Sequence, residues 1–300
     1  MDLLPLTSTA YQLRGGANAG LIVHDGRAVL VDSGLDRDTA KKILRHVEAL
    51  KVTLAGVVIT HAHADHFGGA ATVRARTAAP LYAPALEAAI VTNPLLEPIY
   101  LYGGARPLPE LQGKFLLAEG CPVDHLLEPG DTVIGGVPVT VLRAPGHAPN
   151  QVMVAGGDVL FVADAIFAPA VATKHVIPFY YDVTDALSTL DALAGLDGRY
   201  AAFVPGHGPA VPEIGPWVAE NHGRLSEIRA IVQAALHEAT DTAGILKRTA
   251  ERMGLAIGNA VTYSLTRTTI LACLSALREA GLATVRVEEN RLIWLPGEGR

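Results

Sequence analysis

Three histidines and one aspartate lie within six consecutive residues, in the stretch HAHADH. His61 and His63 are two residues apart, so in an extended segment their side chains point to the same side. Asp65 and His66 follow where the chain turns, so one tight loop presents nitrogen and oxygen ligands in two directions. This arrangement suits two adjacent metal ions better than one.

Three further candidate ligands each follow an apolar run that predicts a strand. His147 stands in APGHAPNQ, Asp164 in LFVADAIF and His207 in FVPGHGP. A carboxylate at the end of a buried strand, such as Asp164, needs a charged partner or a metal ion. Glycines on both sides of His207 let the backbone approach other groups closely. Because all of these residues follow apparent strands, we interpret them as one metal site and not as chance surface histidines.

The elements that must position these residues alternate between strand and helix. AGLIVHDGRAVLVDSG predicts two strands joined by a turn at Asp25 and Gly26, and LAGVVIT predicts the strand that delivers the histidine loop. TAKKILRHVEALK and GGAATVRARTAA predict helices. DTVIGGVPVTVLRAP, VMVAGGDVLFVAD and YAAFVPGHG predict further strands, with a helix in VTDALSTLDALAGLD capped by Asp182 or Thr184. Residues 80 to 109, rich in Pro, Gly, Leu and Tyr, predict an irregular insertion or lid.

The chain changes character near residue 213, where a long helical pattern begins. It continues into a second helix, a glycine stop and a two-stranded hairpin in TTILACLSALREAGLATVRVEENRLIWLP. We therefore predict two domains, residues 1–212 and a small, mainly helical domain over residues 213–300. The second domain carries ten Lys or Arg against ten Asp or Glu, which makes nucleic acid an unlikely partner. Packing on the first domain, lining of the substrate cleft or a homodimer contact are the roles we favour for it.

Composition and charge narrow the class of protein. Half of the 300 residues are hydrophobic and 18% are charged, which is typical of a globular protein with a sizeable core. The net charge of -6 gives no reason to expect nucleic acid or an anionic membrane as a partner. The two cysteines, Cys121 and Cys273, make no disulfide framework. With no signal-peptide pattern and no apolar run of roughly 18 residues, we predict a soluble cytoplasmic protein without a membrane span.

Together, HAHADHFGG, PGHAPN, VADAIF and VPGHG resemble the five-part metal motif of the metallo-β-lactamase-fold hydrolase superfamily, over roughly residues 10 to 210. The resemblance implies an α/β fold, an αββα sandwich with the metal site at the edges of the sheets. It implies that Asp32 in VLVDSG is a buried support of the site. The implied ligands are His61, His63 and His147 for the first metal and Asp65, His66 and His207 for the second, with Asp164 bridging. Imidazole and carboxylate without thiolate suit zinc, iron or manganese, and zinc is the commonest choice.

These implied ligands predict a hydrolase that uses a metal-bridging hydroxide. Water shared by two metal ions loses a proton near neutral pH and then attacks a carbonyl or phosphoryl centre. We expect Asp65 to act as the catalytic residue that carries the proton to the leaving group. We expect a small ester, thioester or lactone as substrate. The residues that we expect to contact it are Lys174, His175, Tyr180 and Tyr181, for which a solvated loop or simple packing is the alternative interpretation.

The sequence does not decide between several subgroups of the superfamily. The tail resembles the winged-helix-like C-terminal module of the lactamase-beta-2-like subgroup, some members of which cleave single-stranded RNA. Glyoxalase II shares THxHxDHxGG, which here spans residues 60 to 69, but its basic glutathione-binding tail is not evident. Secreted β-lactamases usually carry Cys or Ser where Asp164 stands, and the lactonases carry a tyrosine where this chain has Phe167. The alternatives are a metal-dependent phosphodiesterase or endoribonuclease acting on RNA, a mononuclear-iron persulfide dioxygenase and a nucleic-acid-binding regulator.

Overall fold

The computed structural model describes residues 1–237 and 241–297. Its first sheet has seven strands that pair in chain order. These are β1 (Asp2–Pro5), β2 (Ala10–Arg14), β3 (Ala19–His24), β4 (Arg27–Val31), β5 (Thr53–Val58), β6 (Leu81–Ala83) and β7 (His125–Leu126). The pairings from β1 to β4 are antiparallel and those from β4 to β7 are parallel. The predicted turn between β3 and β4 is present, with positive φ at Asp25 and Gly26, as a two-residue hairpin turn requires.

The second sheet has five strands, again paired in chain order. They are β8 (Gly130–Ile134), β9 (Val137–Arg143), β10 (Val152–Gly156), β11 (Val159–Ala163) and β12 (Ala202–Pro205). β11 and β12 pair in parallel, and the other three pairings are antiparallel. The register between β11 and β12 shifts between Phe161 and Ala163, just before Asp164. Such an irregularity bends a strand end and re-aims the residue that follows it.

The described residues contain ten α-helices. They are α1 (Arg37–Ala49), α2 (Ala64–Phe67), α3 (Ala70–Thr77), α4 (Ala85–Thr92), α5 (Leu96–Leu101), α6 (Pro169–Lys174), α7 (Val183–Ala194), α8 (Gly215–Ala235), α9 (Thr242–Arg252) and α10 (Ala260–Glu279). α1 begins after Asp36, and α7 begins after Asp182, one of the two caps that the sequence predicted.

Three apolar cores hold these layers together. Val58 and Val154 belong to the core between the two sheets. Ile43 of α1 packs in the core on the outer face of the first sheet, and Leu190 of α7 packs in the core on the outer face of the second. The order of layers is therefore helix, sheet, sheet, helix, which confirms the predicted αββα sandwich.

The segment from residue 80 to 109 is more regular than the sequence predicted. It contains β6, α4 and α5, and a short 3-10 helix follows at Pro109–Gln112. The prediction of an irregular insertion was therefore wrong over these elements. The alanine-rich stretch ALEAAIVT is a strong helix former. The prolines that suggested a lid fall before a helix or within its first turn, where proline is tolerated.

The tail consists of α8 to α10 and a hairpin of β13 (Ala283–Glu288) and β14 (Arg291–Pro296). Gly281, with φ of +74°, follows the end of α10 and is the predicted glycine stop. The tail shares one apolar core with the segment after β11, in which Phe167 and Val183 pack with Leu225 and Ile270. The winged-helix label and the boundary near residue 213 stay predictions, as does a homodimer contact.

Within the described ranges, one helix, α10, is long and apolar enough to cross a membrane by length and composition. Ile270, Cys273 and Leu274 of this helix are fully buried in the shared core, which is the pattern of a core helix. This burial fits the expectation of a soluble protein, and the cytoplasmic location stays a prediction. Cys121 and Cys273 are both buried and unpaired.

Candidate metal centre

The seven candidate ligands lie together at one edge of the two sheets. The HAHADH loop follows β5 and runs into the short helix α2, while His147, Asp164 and His207 follow β9, β11 and β12. Two sets of these residues, here the first and second groups, each offer three ligand atoms within 4.8 Å of one another. The first group is His61, His63 and His147, and the second group is Asp65, His66 and His207. A third set, His61, His66 and Asp164, lies between them.

The histidines of the first group direct their ring nitrogens at a common point. His63 Nδ1 lies 2.8 Å from His147 Nε2. His147 Nδ1 lies 3.0 Å from the carbonyl of Phe179, and His61 Nδ1 lies 3.1 Å from the hydroxyl of Thr60. A neutral imidazole carries its proton on one nitrogen. The Phe179 carbonyl can only accept, and the Thr60 hydroxyl donates to Asp32, so both partners accept a proton from Nδ1 of His147 and His61. Their Nε2 atoms therefore carry a lone pair and no proton.

The second group is arranged in the same way around different partners. His66 Nδ1 lies 2.8 Å from Asp32 Oδ2, and His207 Nδ1 lies 2.7 Å from the carbonyl of Gly16. Both rings therefore present Nε2 to the centre. The remaining member, Asp65, has its Oδ2 atom 3.3 Å from His207 Nε2.

Asp32 is buried and supports the site as the resemblance implied. Its carboxylate accepts hydrogen bonds from the backbone N–H of Thr60 at 2.8 Å and from the Thr60 hydroxyl at 2.9 Å. It also accepts the Nδ1–H of His66. Because the Thr60 hydroxyl contacts His61 in turn, Asp32 influences both groups, but its direct contact with a ligand is in the second.

Asp164 lies between the two groups. Its Oδ2 atom is 3.5 Å from His147 Nε2 and 3.6 Å from His207 Nε2, and its Oδ1 atom is 3.4 Å from His66 Nε2. Gly206 makes this approach possible, because a Cβ atom at Gly206 would lie 1.8 Å from Asp164 Oδ1. The geometry is that of a carboxylate able to reach ions on both sides.

Buried atoms without partners show that this set of residues fits metal ions. Among the described residues, His61 Nε2, His66 Nε2 and Asp164 Oδ1 are buried side-chain atoms that form no hydrogen bond. Leaving a buried polar atom unsatisfied costs about 1–3 kcal/mol. A cation bound by these nitrogen and oxygen atoms satisfies them, and such ligands suit zinc, iron or manganese.

The two groups differ in charge. Burial and the neighbouring histidines lower the pKa of His61 and hold the pKa of His63 at about 3. Burial acts in the same direction on His207, but the Asp164 carboxylate outweighs it and raises the pKa of His207 to about 10. The pKa of His66 is likewise raised against the effect of burial by neighbouring carboxylates. The first group therefore consists of neutral imidazoles, whereas the second consists of histidines paired with carboxylates.

Two buried glutamates beside the first group are not predicted by the sequence. Glu87 of α4 is 1% exposed, and its carboxylate accepts the backbone N–H of Ala62 at 2.9 Å and of Asn150 at 2.8 Å. Glu97 of α5 is 2% exposed, and its Oε1 atom lies 3.9 Å from His63 Nε2. Burial raises the pKa of both carboxyls. The signal in the sequence is that Glu87 falls on the same face of α4 as the apolar residue one turn later.

The tail reaches the first group through Thr269 of α10, which is fully buried. The Thr269 hydroxyl accepts the backbone N–H of Tyr180 at 3.0 Å and donates to the carbonyl of Pro178 at 2.9 Å. These two bonds hold the backbone on either side of Phe179, whose carbonyl accepts the Nδ1–H of His147.

The four predicted substrate contacts lie in different surroundings. Lys174 is exposed at the end of α6. His175 follows it. Partial burial is the largest cause that lowers the pKa of His175, and the charges of Lys174 and His207 lower it further. Tyr180 is 4% exposed in the core shared with the tail, whereas Tyr181 is 50% exposed and is attached through its backbone to the loop of His147. Their roles as substrate contacts stay predictions.

The sequence model of the metallo-beta-lactamase superfamily matches residues 13–207 of this chain. That span contains both ligand groups and Asp164. The chain belongs to the metallo-β-lactamase superfamily. Membership confirms the predicted family and the predicted class of enzyme, a metal-dependent hydrolase.

Named relatives in the superfamily match part of the chain. A "Beta-lactamase hydrolase-like protein" of Xylella fastidiosa (strain 9a5c) is 34% identical over 159 residues, which cover 50% of this chain and 34% of that protein. A "Hydroxyacylglutathione hydrolase" of Albidiferax ferrireducens is 28% identical over 180 residues, which cover 58% of this chain and 56% of that protein. The chain thus spans less than two thirds of the length of either relative.

A solved metallo-β-lactamase fold matches over nearly the whole length. A β-lactamase domain protein from Burkholderia ambifaria superposes with a TM-score of 0.74 at 17% identity, covering 99% of this chain and 94% of that one. At this identity the likeness shows the fold alone. It extends over the tail as well as the two sheets.

Proposed function

We propose that this chain is a dinuclear metal-dependent hydrolase that acts on a small ester, thioester or lactone, with a thioester as the leading candidate. The observation that carries the proposal is the convergence of two ligand groups on Asp164. Among the described residues, His61 Nε2, His66 Nε2 and Asp164 Oδ1 are buried at this place without a hydrogen-bond partner. The likeness to a hydroxyacylglutathione hydrolase supports a thioester over the other two substrates.

The residues divide the work of binding between them. The first group would hold one ion, the second group would hold another, and Asp164 faces both. Two bound divalent ions, most commonly zinc with such ligands, supply the Lewis acidity that lowers the pKa of water and polarises the substrate carbonyl.

Asp65 is the residue that we propose to move the proton. Its side chain is partly exposed, and its Oδ2 atom lies 3.3 Å from His207 Nε2, so it borders both the second group and the solvent. A carboxylate in this position accepts the proton of the attacking water and returns it to the leaving group.

Two phenylalanines form an apolar wall beside the first group. The rings of Phe167 and Phe179 lie 5.5 Å and 5.6 Å from the ring of His147. Phe167 is buried in the core shared with the tail, so we propose that the half-buried Phe179 is the residue that packs against the acyl side of the substrate and keeps bulk water from it. Lys174 and His175 are polar, unlike the phenylalanines, and we propose that they contact a charged end of the substrate.

The first experiment measures metal content by mass spectrometry on protein purified without added metal or chelator, followed by hydrolysis assays on thioesters, esters and lactones. We expect two divalent ions per chain. His63→Ala and His207→Ala should each remove one ion and abolish hydrolysis. His24→Ala, which changes an exposed histidine at the end of β3, is the matched control and should keep both ions.

Other outcomes would redirect the proposal. Two ions and full activity in both ligand variants would refute it. One iron per chain without hydrolysis would indicate dioxygenase chemistry. Cleavage of a fluorescent single-stranded RNA by the wild-type protein, lost in His63→Ala, would indicate a phosphodiesterase.

A further inference from the structure

Glu87 is joined to both loops that carry the first group, and no step of the proposed reaction uses it. One loop holds His61 and His63 on either side of Ala62, whose N–H donates to Glu87 Oε2 at 2.9 Å. The other loop continues from His147 to Asn150, whose N–H donates to Glu87 Oε1 at 2.8 Å. One buried carboxylate thus connects two loops that lie far apart in sequence.

A second contact joins α4 to the same loop. The backbone N–H of Leu86, the residue before Glu87, donates to the Asn150 side-chain oxygen at 3.2 Å. The spacing that these bonds set is the spacing on which the first group depends, because His63 Nδ1 and His147 Nε2, which lie 2.8 Å apart, face each other from the two loops.

We propose that Glu87 is a positioning residue that fixes the separation of the two loops and thereby the metal affinity of the first group. The inference rests on the proposed metal site. It requires a carboxylate, because both bonds are donated to Glu87 and each of its oxygens accepts one N–H. A glutamine offers one accepting oxygen, and its amide N–H₂ would face the second N–H.

The test compares Glu87→Gln with Val91→Ala in the full chain. Val91 is fully buried on the same helix and packs in the first-sheet core, so its truncation weakens α4 without touching either loop. Stepwise zinc affinity is measured by competition with a chromophoric chelator, and thermal unfolding of the metal-free proteins is measured in parallel. Loss of an outer-shell partner typically costs 10–100-fold in metal affinity.

We expect Glu87→Gln to weaken one of the two zinc-binding steps by about 10-fold or more and to leave the other within about threefold. Val91→Ala should lower the thermal midpoint at least as much and leave both steps unchanged. If Glu87→Gln does not fold, Glu87→Ala, which introduces no competing donor, takes its place.

Three results would overturn the inference while leaving the proposed function intact. They are wild-type zinc binding in the Glu87 variants, equal weakening of both steps, and weakening in Val91→Ala that matches the loss of stability. Failure of the wild-type protein to bind zinc in the same titration would instead count against the proposed function.

Discussion

The two ligand groups of this centre are alike in their atoms and different in what holds them. The second group is fixed by the sheets themselves, through Asp32 at the end of β4 and the carbonyl of Gly16 beside β2. The first group has one support at the end of β5, the Thr60 hydroxyl beside His61, and its other supports come from outside the sheets, from Glu87 of α4 and the carbonyl of Phe179. The difference indicates that the second group shares the rigidity of the fold, whereas the first depends on segments packed around it.

The charges follow the same division. Carboxylates surround the histidines of the second group and raise the pKa of His66 and His207. Burial dominates the first group and lowers the pKa of His61 and His63. One centre therefore combines a charged half anchored in the sheets with a neutral half anchored at the periphery.

The largest expected effect comes from Gly206→Ala, which acts where the two halves meet. The new Cβ atom would lie 1.8 Å from Asp164 Oδ1 and 2.9 Å from His66 Cε1, so Asp164 must move. A displacement of about 1 Å at a reacting centre costs on the order of 100-fold in rate. We expect both the rate of hydrolysis and the metal content to fall.

Gly223→Ala is the matched control for that substitution. Gly223 lies in α8 with open space around its Cβ position. Alanine there should leave activity unchanged and add about 0.5–1 kcal/mol to the free energy of unfolding. Unchanged activity and metal content in Gly206→Ala would show that Asp164 does not connect the halves.

A smaller effect is expected from Asp32→Asn, which addresses the second half. The asparagine amide would donate to His66 Nδ1 and force the ring proton onto Nε2, the nitrogen that faces the centre. We expect one metal-binding step to weaken 10–100-fold, measured by chelator competition. Asp25→Asn, at the exposed turn between β3 and β4, is the control. If Asp32→Asn and Glu87→Gln weaken the same step, the proposed division of supports is wrong.

The smallest effect is expected from Asp36→Ala. Asp36 lies four residues after Asp32, which contacts the second group. Asp36 caps α1 by accepting the N–H of Thr39 at 3.0 Å, and this bond lowers the pKa of Asp36. A lowered pKa gives stability that is present above the unfolded value of about 3.9 and is lost as the pH falls through the folded value. The free energy of unfolding of the variant should be lower by about 1 kcal/mol at pH 7, a difference that solvent screening reduces. The difference should be smaller at pH 3.

Urea unfolding at the two pH values checks this prediction. The metal content of Asp36→Ala should stay that of the wild-type protein, because the cap touches no ligand. A pH-independent loss of stability would mean that the ionised carboxylate is not what stabilises α1. Loss of metal would mean that the support of the second half extends into α1.

The candidate ligands could be located from the sequence because all of them follow strands, four after β5 and one each after β9, β11 and β12. The apolar run before His61 and the glycines around His207 are local signals, and the ends of neighbouring strands meet at one edge of a sheet. The partners of the ligands are not local. Glu87 contacts two loops from a helix in the proline-rich segment that suggested a lid, and only the folded chain brings them together. Tyr180 was expected beside the substrate from its position alone, and it lies in a core that the tail completes.

The hydroxyl of Thr269 connects the tail to His147, a candidate metal ligand, because it fixes the backbone around Phe179. A substitution of Thr269 would therefore act on the candidate metal centre from a distance. Exchanging the tail between related chains would exchange one of the supports of His147 along with it. The tail is therefore a region through which the support of His147 would change while all seven candidate ligands stay the same.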